Sequence, residues 1–177
     1  DFKVKKLIYN DVRKFGFIKV LSKEQLLKTQ HLNSLGPEPL TKKFNFNYFK
    51  LNVKNTNKSL KNLLMNQKFV AGLGNIYVNE VLFLSKLNPN KSSILLSDKD
   101  IKIILANTKK ILIKSIKNGG SSIKNFSNSD GSSGNFQRGF KVYSRNGKKC
   151  LRRKCSGIIA KNVISNRSTF FCNICQK

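Results

Sequence analysis

Two short-spaced cysteine pairs constrain this chain more than any other feature. Four residues separate Cys150 from Cys155, two separate Cys172 from Cys175, and sixteen lie between the pairs. Paired cysteines bracketing a strand-rich segment are the pattern of a tetrahedral structural zinc site, four thiolates closing the shell. With no open position, such a metal cannot activate water; it holds a module of about 35 residues that is too small for its own core. Two disulfides are the alternative. No secretory signal opens the chain, so a reducing compartment and one zinc per chain are favoured. Between the pairs the sequence reads as a β-hairpin, with Ile158, Ile159, Val163 and Ile164 on one arm and Thr169, Phe170 and Phe171 on the other. Ser165-Asn166-Arg167-Ser168 is the expected turn. An arginine at the tip of a metal-stapled hairpin is a rigidly mounted phosphate clamp.

The charge balance points to the same kind of partner. Lys+Arg number 35 against 8 Asp+Glu, a formal net charge of +27 over 177 residues. Such a surface suits a polyanion. AT-rich codon usage also enriches Lys and Asn, so the count overstates the signal. The six arginines then carry more weight, because a planar guanidinium makes bidentate contacts that lysine cannot; all but Arg13 lie after residue 137. No apolar run approaches the ~20 residues of a membrane span. No close carboxylate pair suggests glycosidase-type acid–base chemistry. The single histidine, His31, has no triad partner or neighbouring ligand.

Residues 2–9 and 17–21 read as strands whose sheet partners lie upstream, since two short strands are not stable alone. Asp1 in place of an initiator Met supports the expectation of a chain lacking its beginning. Leu35-Gly36-Pro37-Glu38-Pro39-Leu40 reads as an extended linker. From about residue 58 the periodicity is helical. Leu60, Leu63 and Leu64 share one face; Ala71-Gly72-Leu73-Gly74-Asn75 forms a tight turn, with Asn75 placed to cap the helix presenting Ile76, Val78, Val81, Leu82 and Leu84. Ser97-Asp98-Lys99-Asp100 resembles a capping box, and Gly119-Gly120 closes the helix that follows. The turn's helix N-terminus is a candidate anion site, with Lys61 and Lys68 nearby. Arg13-Lys14-Phe15 pairs a planar cation with an aromatic able to enter a base stack. Glu80 reads as a structural hydrogen-bonding group, and no lysine is marked as buried with a strongly lowered pKa.

Taken in order, Asn10-Asp11-Val12-Arg13-Lys14-Phe15-Gly16, the Gly36-Pro37-Glu38-Pro39 segment, Ala71 to Glu80, Gly119-Gly120-Ser121-Ser122 and Arg167 to Lys177 resemble formamidopyrimidine-DNA glycosylases, bacterial base-excision enzymes for oxidised purines. The resemblance covers essentially the whole chain. It implies an α+β fold: the last strands of an N-terminal β-sandwich (1–21), a linker and the start of the helical module (22–57), a helix–two-turn–helix domain (58–137) carrying a lesion-recognition loop (121–136), and a C-terminal zinc finger (140–177). The first cysteine knuckle is longer than in many members, and Val12 and Lys14 stand where proline and a second arginine are common.

The resemblance also implies roles. Arg13 would replace the flipped base and Phe15 act as the neighbouring wedge. Asn75, Tyr143 and Arg167 would hold phosphates, with Arg167 also linked catalytically to the second elimination, and Lys61 would take part in lesion handling. The Ser121 carbonyl and the amides of Ile123, Lys124, Asn125 and Phe126 would read the oxidised purine. Cys150, Cys155, Cys172 and Cys175 would bind zinc. The expected partner is duplex DNA containing oxidised purines or abasic sites, the expected setting a cytoplasmic bacterial monomer without membrane contact. The family's nucleophile, an N-terminal proline, would lie upstream of Asp1, so these residues alone are expected to be inactive as glycosylase and abasic-site lyase. An endonuclease VIII-like enzyme for oxidised pyrimidines and a non-catalytic zinc-ribbon nucleic-acid binder are the alternatives.

Overall fold

The computed structural model describes residues 8–11, 14–54, 56–122 and 133–177. It divides into two units, Asp1–Ser34 and Leu35–Lys177.

In the first unit, helix α1 (Lys23–Leu27) starts at a capping box in which the Ser22 hydroxyl accepts from the Gln25 amide and the Gln25 side chain accepts from the Ser22 amide. A single turn, α2 (Gln30–Asn33), follows. The strands expected at 2–9 and 17–21 are not borne out where they are described: residues 8–11 and 14–21 form none. A strand is held by its ladder, and the described part of this unit offers no partner strand and buries no residue. Phe17 instead packs on His31, ring centroids 5.7 Å apart.

The second unit is built on helices α3 (Phe46–Val53), α4 (Leu60–Met65), α5 (Asn75–Ser85) and α6 (Asp98–Lys117). Leu60, Leu63 and Leu64 of α4 and Val78, Val81 and Leu82 of α5 are buried together, as their spacing predicts. On α6 the buried stripe is Ile101, Ile104, Thr108, Ile111 and Ser115, a run of three- and four-residue steps that faces one side. The capping box is present, with the Ser97 hydroxyl accepting from Asp100 and the Asp100 carboxylate accepting from the Ser97 amide. Gly119 and Gly120, both at positive φ, end the helix. An aromatic cluster closes the other side, Phe49 meeting Phe69 edge-on at 5.0 Å and Tyr48 stacking on Phe69 at 5.8 Å. The Gly36-Pro37 segment is docked on it: the Gly36 amide donates to the Gln67 carbonyl (2.8 Å) and Ala71 to the Pro37 carbonyl (3.2 Å). A Cβ at Gly36 would lie 2.5 Å from the Phe69 carbonyl carbon, so only glycine allows this approach.

Strands β1 (Ile159–Ile164) and β2 (Arg167–Cys172) form an antiparallel hairpin with Ile164 opposite Arg167. The turn is therefore Ser165-Asn166 alone, both at positive φ (47° and 58°), the mirror-image turn that matches strand twist. Arg167 is the first residue of β2 rather than a turn residue. Helices plus hairpin make the described fold α+β.

Candidate nucleic-acid interface and metal centre

The four cysteine sulfurs all lie within 4.8 Å of one another and form no disulfide. Cys150 and Cys175 sulfurs are 3.9 Å apart, and those of Cys155 and Cys172 are 3.7 Å apart. Tetrahedral zinc with bonds of about 2.3 Å puts its sulfurs about 3.8 Å apart, so this set fits one zinc ion. Burial pushes the Cys150 thiol up to about 12. Cys172 is also desolvated, yet the amides of Cys175 and Ile174 bring it down to about 7, the support a metal-bound thiolate needs. Gly157 passes so close that a Cβ there would lie 2.5 Å from the Cys172 sulfur.

Polar contacts with α5 dock the segment that leads into the hairpin. Glu80, only 1% exposed, sits on α5 with its carboxylate facing three consecutive amides: Oε1 accepts from Lys141 (3.0 Å), Val142 (2.9 Å) and Tyr143 (3.0 Å), and Oε2 from Lys141 (2.9 Å). This confirms Glu80 as structural and fixes Tyr143, whose ring packs edge-on against Phe140 (5.5 Å) and Phe170 (5.2 Å). Arg152 donates to the Phe83 carbonyl (2.5 Å) and lies 4.8 Å from the Phe83 ring centroid, so this arginine ties the finger to α5.

The start of β2 gathers three of the remaining candidates. Asn75 is not the cap of α5: Gly74 is the N-cap and no side chain caps it. Freed from that role, Asn75 Nδ2 donates to the Ser168 carbonyl (2.9 Å). Lys61 Nζ donates to the same carbonyl (3.1 Å) and to the Thr169 hydroxyl (2.5 Å). Arg167 is exposed beside them. The α4–α5 turn is braced by Gln67, whose Oε1 accepts from Gly72 (2.8 Å) and whose Nε2 donates to the Leu73 carbonyl (3.0 Å). The expectation about lysines is overturned at Lys61. It is 1% exposed, and burial first, then the Arg167 charge, lower its pKa to about 8. The sequence around Lys61, Leu60 before it and Asn62 after it, gave no sign of this, because its burial depends on Ser168 and Thr169 far along the chain.

Elsewhere the sites are partly described. Ser121 pairs with Asn135 as an isolated bridge. The Gly134 amide donates to the Ser122 hydroxyl (2.8 Å), and the Ser122 amide to Gln137 Oε1 (3.1 Å), so the stem of the loop is closed. Ile123, Lys124, Asn125 and Phe126 lie outside the described residues, as does Arg13. Phe15 is 80% exposed in a loop whose Gly16 amide donates to the Asp11 carboxylate (2.6 Å). Asn79 and Thr169 were not foreseen as parts of the site. A polar residue at position 79 amid the apolar run of α5 is the signal that marks the first.

A family model described as formamidopyrimidine-DNA glycosylase H2TH domain matches residues 35–127, more than half of the chain. A second, the zinc finger found in FPG and IleRS, matches residues 147–177. The formamidopyrimidine-DNA glycosylase of Bartonella tribocorum is 41% identical over 97% of this chain and 60% of its own length; that of Rickettsia bellii is 42% identical over 97% and 62%. The chain thus spans about 60% of the length of these curated relatives. Among solved structures, the complex between Lactococcus lactis Fpg and an abasic site containing DNA matches with TM-score 0.85 and 40% identity, over 94% of this chain and 60% of that one. The MutM (Fpg) protein from Thermus thermophilus matches with TM-score 0.76 and 34% identity, over 82% and 55%. With the helical domain and the four-cysteine finger both matched, the chain belongs to the formamidopyrimidine-DNA glycosylase family.

Proposed function

We propose that this chain is the DNA-gripping part of a base-excision glycosylase and abasic-site lyase acting on oxidised purines such as 8-oxoguanine and formamidopyrimidines. The observation that carries the reading is the convergence of Asn75, Lys61 and exposed Arg167 at the start of β2. Removing a base requires turning its nucleotide out of the stack, at a cost of a few kcal/mol. Phosphate contacts offset that cost. Arg167, Asn75 and Tyr143 hold the backbone; Arg13 and Phe15 fill the vacated stack; Ser121 with residues 123–126 reads the turned-out base. Lys61, bonded under Ser168 and Thr169, acts on the lesion through the hairpin and Arg167 rather than by direct contact. Zinc bound by the four cysteines supplies structural rigidity to the finger. A reducing compartment suits those thiols.

The chemistry needs an unprotonated amine at C1′ to form a Schiff base, expel the base and set up β- and δ-elimination. Lys61 has the lowered pKa but is buried, which counts against it as the attacking amine; the resemblance to the family assigns that amine to an N-terminal proline. Arg167 assists the second elimination. The helical-domain match counts against a stand-alone zinc-ribbon binder. The test is borohydride trapping on a duplex carrying one 8-oxoguanine. The full-length protein is expected to excise and trap, and residues 1–177 alone to bind without trapping. Robust trapping by residues 1–177 would overturn the assignment of the amine; absence of excision by the full-length protein would overturn the function.

A further inference from the structure

The geometry points to Asn79 as a positioning residue that locks the Asn75 carboxamide with its amide group facing outward, ready for a phosphate oxygen. The inference rests on the proposed phosphate role of Asn75. A carboxamide is nearly symmetric in shape but not in chemistry: turned one way it offers N–H donors to a phosphate, turned the other way it offers a repelling oxygen. Its neighbours must therefore choose the orientation.

The choice starts at a group with no freedom. The Phe170 amide of β2 can only donate, and it donates to Asn79 Oδ1 at 2.7 Å. That fixes which end of the Asn79 amide faces β2. Asn79 is 0% exposed, so no water can take over the role. Its Nδ2 then faces back along α5, donating to the Asn75 carbonyl (2.6 Å) and to Asn75 Oδ1 (3.3 Å). The four-residue spacing puts both side chains on one helix face. With its oxygen occupied by Asn79, Asn75 presents its nitrogen forward, where one hydrogen reaches the Ser168 carbonyl at 2.9 Å. The second hydrogen is left for a ligand. The Ser168 carbonyl can only accept, so it reinforces the same orientation. A backbone amide in the zinc finger thus sets a donor at the helix N-terminus through one buried side chain.

The experiment is a double-mutant cycle on the zinc-loaded full-length protein, read as affinity for a duplex with a stable abasic-site analogue across a range of salt. Asn79→Asp keeps the acceptor for Phe170 but replaces the donor by an oxygen that repels Asn75 Oδ1. It is expected to weaken binding about tenfold, the size of one charge-assisted hydrogen bond. Asn79→Ala, which introduces no charge, is expected to weaken it about threefold. In the Asn75→Ala background the neutral Asn79→Ala change should weaken binding no further, because the residue it acts through is gone. For Asn79→Ala the salt slope should stay constant, since a neutral amide releases no counterion. Additive losses overturn the lock. So does a slope reduced by about one together with lost zinc, the mark of a displaced hairpin and Arg167. If Asn75→Ala weakens binding while the Asn79 variants do not, the lock alone falls; if Asn75→Ala has no effect, the phosphate role of Asn75 falls and takes the lock with it.

Discussion

The helical module and the zinc finger are held together by different physics. The helices enclose a continuous apolar core that includes Phe44, Phe49, Leu60, Leu64, Leu73, Leu82, Ile101 and Ile104. The finger's core is Phe83, Val142, Cys150, Ile159, Phe170 and Cys172, of which two are metal ligands and one belongs to α5. On β1, Lys161, Asn162 and Val163 face solvent. A two-stranded hairpin is marginal in water, so the metal and directional contacts replace apolar burial here. Those contacts reach from the helices: Lys61 and Asn75 to Ser168, Asn79 to Phe170, Glu80 to residues 141–143, and Gln176 Nε2 back to the Leu87 carbonyl (2.9 Å). A core sums many weak contacts and tolerates small shifts. A set of buried hydrogen bonds specifies one position, and position is what the phosphate contact proposed for Arg167 needs.

The largest test of this contrast is removal of the metal. Structural zinc supplies on the order of 10 kcal/mol to small modules. Cys172→Ser, or a strong chelator, is expected to abolish zinc binding, unfold the hairpin and lower duplex affinity by about tenfold or more, the size of the charge-assisted contact that the hairpin mounts. Helical circular dichroism should persist; its collapse would show that the two regions are one cooperative unit. Leu82→Ala probes the other side. Leu82 is fully buried, and such truncations cost about 2–5 kcal/mol. Thermal unfolding should shift down while one zinc remains bound. Loss of zinc in this variant would break the distinction from the opposite direction.

The proposed phosphate contact of Arg167 is the readout of how the hairpin is held. Arg167→Ala should weaken binding to intact and abasic duplex alike, by about tenfold, and reduce the salt slope by about one. Arg13→Ala should instead remove mainly the preference for abasic over intact duplex, since the role proposed for it begins only after flipping. Equal losses on both duplexes for the two variants would contradict that division.

The smallest effect is a titration. Lys61 should titrate near 8 in a 13C-labelled lysine spectrum, and Arg167→Gln should move it part of the way up, burial being the larger cause. Because the folded value lies below that of the unfolded chain, in the interval from about 8 to the usual 10.5 the unfolded chain holds the extra proton. This lysine's contribution to stability is therefore least below 8 and rises with pH through that window. A value that does not respond to Arg167→Gln would mean that the guanidinium lies farther from Lys61 than the fold places it.

Local pattern and spacing by themselves determined the four zinc ligands, the buried faces of α4 and α5, the Ser97 capping box, the glycine end of α6 and the family. Each depends on residues a few positions apart, where backbone geometry dictates which side chains meet. Residues 8–11 and 14–21 form no strand among the described residues, because a strand exists only through a partner and sequence shows its pattern without its ladder. Only the tertiary structure decided that Lys61 is buried, that Asn75 reaches the hairpin instead of capping α5, and that Asn79 joins them. Those contacts link residues 91 to 108 positions apart. Nothing local encodes them, since a buried polar group takes whichever partner the packed helices and the metal-held hairpin bring within hydrogen-bond reach.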